Sequence, residues 1–249
     1  MDADPQAQLR LLELQASDTA VDRLAARRRS LPEIDEIRNL TARLSALAAD
    51  LVAAETEGRD LGRAQTKLEG EVDAVRSRAA RDQSRLDSGA VGSARELENL
   101  QSEIGSLGRR QGDLEEQLLE IMENAETAQA TVDRLRAEQA EAEAARTAAE
   151  QRRDAAFSAI DAESAQTTER RTALAAELPA ELVALYEKIR KSSGGIGAAG
   201  LVRRRCEGCH LEVGGSELRE IAALPLERVL RHEDCRRILV RTEDSGLPA

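Results

Sequence analysis

The stretch that decides the fold is ARELENLQSEIGSLGRRQGDLEEQLLEIMENAETAQATVDRLRAEQA, residues 94–140. Leu97, Leu100, Ile104, Leu107, Gln111, Leu114, Leu118, Ile121, Ala125, Ala128, Val132, Leu135 and Gln139 follow one another at steps of three and four without a break. A mean repeat of 3.5 is a heptad seam, and it drives left-handed supercoiling of paired helices. Past Gln139 the seam turns to alanine (AEAEAARTAAEQRRDAAFSAI, residues 140–160). Small knobs let helices approach closely but bury less area, so weaker pairing is expected there.

Upstream, residues 33–87 also read as helix, with Ile37, Leu40, Leu44, Leu47, Leu51, Leu61, Leu68, Val72, Val75 and Leu86 as the apolar stripe. Pro32 suits the first turn of that helix and ends or kinks whatever precedes it. A first helix from about Gln6 to Arg29 carries Leu11, Leu14, Val21 and Leu24. Between the second and third helices lies DSGAVGSARE, residues 87–96, where Ser93 and Glu96 have capping-box spacing. The first two helices hold about as many residues as the third, so a hairpin with its tip near residues 88–93 closes them antiparallel, each arm on the order of 120–130 Å long. A single extended helix that dimerises in parallel is the alternative. Gly58, Gly62, Gly70, Gly105, Gly108 and Gly112 fall inside the helices, where each costs about 1 kcal/mol relative to Ala, and local bending or fraying is expected at them.

Pro179 stops the third helix. AELVALYEKIRK then forms a short helix with Leu182, Leu185, Tyr186 and Ile189 on one face, and SSGGIGAAG, residues 192–200, reads as a linker. The expected organisation is therefore a mainly α chain: a coiled-coil hairpin over residues 1–180, a short helix and Gly-rich linker over 181–201, and a small terminal unit over 202–249.

Composition agrees with a rod rather than a globular core. Aromatic residues make up 1% of the chain and charged residues 33%. The net charge of −11 resides mostly in the helical part, because Lys188–Arg205 contains six basic residues and no acidic ones. An acidic rod repels phosphate, so any nucleic-acid contact should come from the basic stretch. No apolar run approaches the roughly 20 residues needed to cross a bilayer, and the amino terminus lacks an export signal. A cytoplasmic chain with no membrane role is expected.

The terminal unit contains CEGCHLEV at residues 206–213 and RHEDC at 231–235. Cys206 and Cys209, then His232 and Cys235, form two x-x half-sites separated by 22 residues. Such spacing lets a tight turn aim two donors at one ion, and two turns supply the four N/S ligands of a closed tetrahedral zinc site. Gly208 is expected to take the positive φ of the first turn. One structural Zn²⁺ would substitute for a core that so short a segment lacks. His210 adjoins Cys209 and is the alternative fourth ligand. Haem attachment through C-x-x-C-H leaves Cys235 unexplained, and a redox dithiol lacks its βαβ setting. Short strands are expected beside each knuckle, with a helix SELREIAAL capped by Ser216 between them.

LLELQASDTAVDRL, SARELENLQSEIGSL, LPAELVALYEKIR and CEGCHLEV…RHEDCRRILVRTEDSGL together resemble a bacterial family of coiled-coil proteins that end in a C4-type zinc ribbon. The likeness spans essentially the whole chain, and the final segment resembles actinobacterial members. Two positions depart from the family pattern: His232 stands where cysteine is usual, and Arg236 where glycine is usual. The resemblance implies a non-enzymatic adaptor or nucleic-acid-binding role. Some members are linked to sigma factors, flagellar gene control or secretion chaperones.

Two functions follow. In the first, the ribbon recognises a partner, and Arg203, Arg204, Arg205, Arg236, Arg237 and Arg241 are its binding residues, with Lys188, Arg190 and Lys191 nearby. The same arginines could simply offset the charge of a thiolate-rich site. Stacking aromatics are absent, so a protein partner is expected ahead of nucleic acid. In the second, the hairpin is the working surface of a scaffolding protein and zinc only stabilises the tail. The chain is expected to be a monomer or a weak dimer. A closed zinc site and the lack of a catalytic constellation argue against an enzyme.

Overall fold

The computed structural model describes residues 1–247. Helix α1 spans Pro5–Arg29, α2 Pro32–Asp87, α3 Ala94–Glu177, α4 Ala180–Ser192 and α5 Gly215–Ala223; the strands are β1 Ala198–Val202, β2 Arg205–Cys206, β3 Leu230–Arg231 and β4 Ile238–Arg241. The chain divides into two compact units, one of Asp35–Glu150 and the other of Met1–Ile34 with Gln151–Ala249.

The Asp35–Glu150 unit is the helical hairpin. Leu44, Leu47 and Ala54 of α2 bury against Val132, Leu135 and Ala142 of α3. Cross-helix ion pairs fix an antiparallel register: Glu55 meets Arg136 at 2.6 Å and Arg76 meets Glu115 at 2.6 Å, while Arg85 meets Glu96 beside the tip. These pairs are exposed and contribute little energy each, but together they disfavour slipped alignments. Ser93 caps α3, with Glu96 N–H donating to Ser93 Oγ at 3.2 Å, while Glu96 Oε2 reaches back to accept from Gly92 N–H at 3.1 Å, one residue before the cap. Both helices continue unbroken through the six internal glycines.

In the other unit, a four-stranded sheet of order β2-β1-β4-β3 has β1 parallel to β4 and its outer pairs antiparallel. Strand alternation sends Ala198, Ile238 and Val240 to one face, where they pack on Leu11 and Leu14 of α1 and Leu182, Tyr186 and Ile189 of α4. Ala199, Leu201 and Leu239 face the other way and pack with Cys206, Val213, Leu218, Ile221 and Leu230. The alanine-rich end of α3 also contributes, with Ile160 packing on Leu24 and Leu31.

This arrangement corrects the reading of residues 192–200 as a linker. Only Ser193–Gly197 connects the elements, and a boundary at 202 falls at the end of β1. AAGLV becomes a strand because both its faces are covered and its backbone pairs with β4. The terminal segment therefore does not lack a core. Its sheet is buried on both sides, and α1 forms part of that burial. The first residues join in as well: Ala3 N–H donates to Glu227 O at 2.8 Å and Val229 N–H to Met1 O at 3.2 Å. Asp4 Oδ1 accepts from Gln6 N–H at 2.7 Å and caps α1.

Side chains tie these elements together. Gln15 Oε1 accepts from Gly197 N–H at 2.7 Å, and its Nε2 donates to Gly195 O at 3.0 Å. Gly197 is required by close approach, since a Cβ there would lie 2.7 Å from the ring and carbonyl of Tyr186. Helix α5 starts one residue before Ser216, with Gly214 as its cap residue and no side-chain capping bond, so Ser216 does not serve as the cap.

Candidate metal centre

Two turns of the same construction present the donors. In the first, β2 ends at Cys206 and the chain folds back so that His210 N–H donates to Cys206 O at 2.7 Å. In the second, β3 leads into His232, and Arg236 N–H donates to His232 O at 2.9 Å. Each turn closes at the residue after its second donor, which takes positive φ: 63° at His210 and 61° at Arg236. The strained position is therefore not Gly208, contrary to the sequence expectation. Gly208 is needed for space, because a Cβ there would lie 2.9 Å from both Ala199 Cβ and Arg237 Cδ.

The turns bring Cys206, Cys209, His232 and Cys235 together, with their donor atoms all within 4.8 Å of one another. Cys206 Sγ lies 3.9 Å from Cys235 Sγ, and His232 Nδ1 lies 3.4 Å from Cys209 Sγ and 3.1 Å from Cys235 Sγ. A tetrahedral ion with metal–sulfur bonds of about 2.3 Å spaces its sulfurs by about 3.8 Å. The four groups are thus close enough to hold one metal ion, and three thiols with one imidazole form a coherent soft donor set. His232 is fully buried, while His210 is exposed and lies outside the cluster.

The thiols are not equivalent. Burial pushes Cys206 up to about 12. Burial also acts upward on Cys235, but hydrogen bonds from the Arg237 backbone and from His232 outweigh it and bring Cys235 down to about 7.

The arginines divide into two sets. Arg203 and Arg204 form the β1–β2 turn at φ 47° and 65°, with exposed side chains, and their N–H groups donate to Asp244 O and Ser245 O. Arg205 is exposed and donates to His210 O at 2.8 Å. Arg236 is exposed as well. Arg237 and Arg241 serve internal ends. Arg237 donates to Ile196 O and Ser193 O, and Arg241 donates to Ile221 O, Leu224 O, Pro225 O and Leu226 O at the end of α5. Arg190 pairs with Asp22 at 2.8 Å.

Sequence reasoning missed two features. Glu217 of α5 is buried beside His232, yet it belongs to no spacing motif. Asp18 of α1 is buried among Tyr186, Arg171 and Arg190. The one tyrosine in the chain, on the apolar face of α4, was the available clue to the second.

Residues 14–194 match the family described as CT398-like coiled coil hairpin domain. Among curated proteins, an uncharacterized protein of Mycobacterium tuberculosis is 38% identical over 250 residues, covering 98% of each chain. One from Mycobacterium leprae is 32% identical over 220 residues, covering 87% of this chain and 93% of its own. Among solved structures, a Mycobacterium smegmatis protein matches with a TM-score of 0.82 at 36% identity, covering 97% of this chain and 100% of its own. CT398 of Chlamydia trachomatis shares the fold, with a TM-score of 0.66 at 19% identity over 95% of this chain and 98% of its own.

Proposed function

We propose that this chain, which belongs to the CT398-like coiled coil hairpin family, carries one structural zinc ion on Cys206, Cys209, His232 and Cys235 and works as a non-enzymatic adaptor. The observation that carries this reading is the tetrad itself, four N and S donors within 4.8 Å with Cys206 and His232 fully buried. Three thiolates and an imidazole suit tetrahedral zinc, and four protein ligands leave no open position at which water could be activated. The ion would hold the two turns in place. Reduced thiols in such a site fit a cytoplasmic protein.

The proposed partner is a protein. Arg203, Arg204, Arg205 and Arg236 remain exposed, whereas Arg237 and Arg241 have committed their donors to backbone carbonyls. The basic surface open to phosphate is therefore smaller than six arginines, which favours protein over nucleic acid. The second reading, a scaffold working through the hairpin, draws support from Val52 and Leu119, exposed at 63% and 61%.

Elemental analysis should find one zinc per chain. Affinity capture should then compare the native chain with Arg203→Ala/Arg204→Ala/Arg205→Ala and with Val52→Glu/Leu119→Glu. Loss of a specific protein partner only in the arginine variant supports the first reading. Loss only in the hairpin variant supports the scaffold, and recovery of nucleic acid in place of protein overturns the choice of partner.

A further inference from the structure

His232 presents Nδ1 to the cysteine sulfurs, at 3.4 Å from Cys209 and 3.1 Å from Cys235. Its other nitrogen, Nε2, is fully buried and makes no hydrogen bond among the described residues. An imidazole that binds a metal through Nδ1 must carry its proton on Nε2. That proton then needs an acceptor, because a buried donor without one is costly.

Two carboxylates lie within reach. Glu217 Oε2 is 4.0 Å from Nε2, and Asp234 Oδ2 is 3.8 Å away. Their surroundings differ. The Asp234 side chain is 63% exposed and competes with water, whereas that of Glu217 is 11% exposed. Glu217 is also held in place from its other oxygen, since Oε1 accepts from Glu233 N–H at 3.1 Å, on the turn between His232 and Cys235. A closure of about 1 Å brings Oε2 to hydrogen-bonding distance.

We infer that Glu217 is the positioning residue of the metal centre: it accepts the His232 Nε2 proton and so locks the imidazole in the tautomer and orientation that offers Nδ1 to the ion. This rests on the zinc reading above. It also accounts for how a histidine functions in a cluster whose other three donors are cysteines. A thiolate needs no such acceptor, so Glu217 matters because residue 232 is histidine.

The test is zinc affinity of the full chain, measured by competition with a chromogenic chelator. Glu217→Gln keeps the size and one acceptor. With its oxygen retained by Glu233 N–H, it turns an NH₂ group toward another N–H. A 10- to 100-fold loss of zinc affinity is expected, with helical content unchanged and with Asp234→Asn at native affinity. In a His232→Cys background, Glu217→Gln should change affinity by less than about threefold. ¹⁵N spectra of the zinc-loaded native chain should show His232 metal-bound at Nδ1 and protonated at Nε2. Native affinity in Glu217→Gln, or an equal loss in the His232→Cys background, overturns the inference while leaving the zinc site standing. A native chain that takes up no zinc overturns the zinc assignment, and this inference with it.

Discussion

The hydroxyl of Tyr186 donates a 2.6 Å hydrogen bond to Oδ2 of Asp18 across 168 residues of sequence. Both residues are buried, and Asp18 also accepts from Arg171 Nε at 3.1 Å, with Arg190 Nε 3.5 Å away as an ion pair. This polar cluster joins α1, α3 and α4 behind the sheet. Removing one partner leaves a buried polar group with fewer hydrogen bonds than it needs.

Tyr186→Phe is therefore expected to destabilise the chain by about 1.5–3 kcal/mol, read from urea unfolding. Asp18→Ala should cost more, because Tyr186 loses its acceptor and the two guanidinium groups, left with Glu187 and Asp22, each lose a buried carboxylate partner. A Tyr186→Phe chain of native stability would refute the role given to this bond.

The same bond has a pH signature. Burial, then the hydrogen bond to Asp18, raises the Tyr186 pKa above its ordinary 10.0. The unfolded chain loses this proton near pH 10 while the folded chain keeps it. The tyrosine contribution to stability is thus complete below pH 10 and falls as pH rises beyond it. Since Tyr186 is the only tyrosine, tyrosinate absorbance should appear only together with loss of helix. Ionisation at pH 10–11 in a still-helical chain would contradict this.

Glycines at different sites should respond in opposite directions. Gly197→Ala places a methyl 2.7 Å from Tyr186 and should destabilise by about 1–3 kcal/mol. At Gly70 a Cβ meets nothing within 4 Å, so Gly70→Ala should stabilise the hairpin by about 0.5–1 kcal/mol. Thermal unfolding distinguishes the two.

His232→Ala should abolish stoichiometric zinc, whereas His210→Ala should retain it, as measured by elemental analysis. Acidification should release the metal, because the thiolates and the imidazole must be deprotonated to bind.

Arg236 has φ 61° with an exposed side chain. Arg236→Gly should therefore raise stability by about 0.5–1 kcal/mol through relief of backbone strain. Arg241→Ala should lower it, since four carbonyls around the end of α5 each lose a hydrogen bond. If Arg236→Gly destabilises the chain, its side chain has a role beyond the turn.

The hairpin was legible because its information is local and periodic. Leu100, Leu114, Val132 and Leu135 repeat at heptad spacing and are buried as a seam should be, and Ser93 with Glu96 marks the tip at short range. The cysteine half-sites were legible for the same reason, as two donors three residues apart define a turn. Residues 198–202 were not legible. AAGLV carries no alternation, and Gly194, Gly195 and Gly197 before it, with Gly200 inside it, resemble a linker.

Sequence alone thus determined the helical hairpin, its turn and the four candidate ligands, because periodicity and short spacing express themselves within a few residues. Tertiary structure decided the rest: that α1 and α4 cover one face of the terminal sheet, that His210 and Arg236 rather than Gly208 take the strained turn positions, and that Glu217 stands beside His232. Each of these depends on segments far apart in the chain meeting in space. Their burial and hydrogen bonds exist only after the backbone has closed, so no local pattern could announce them.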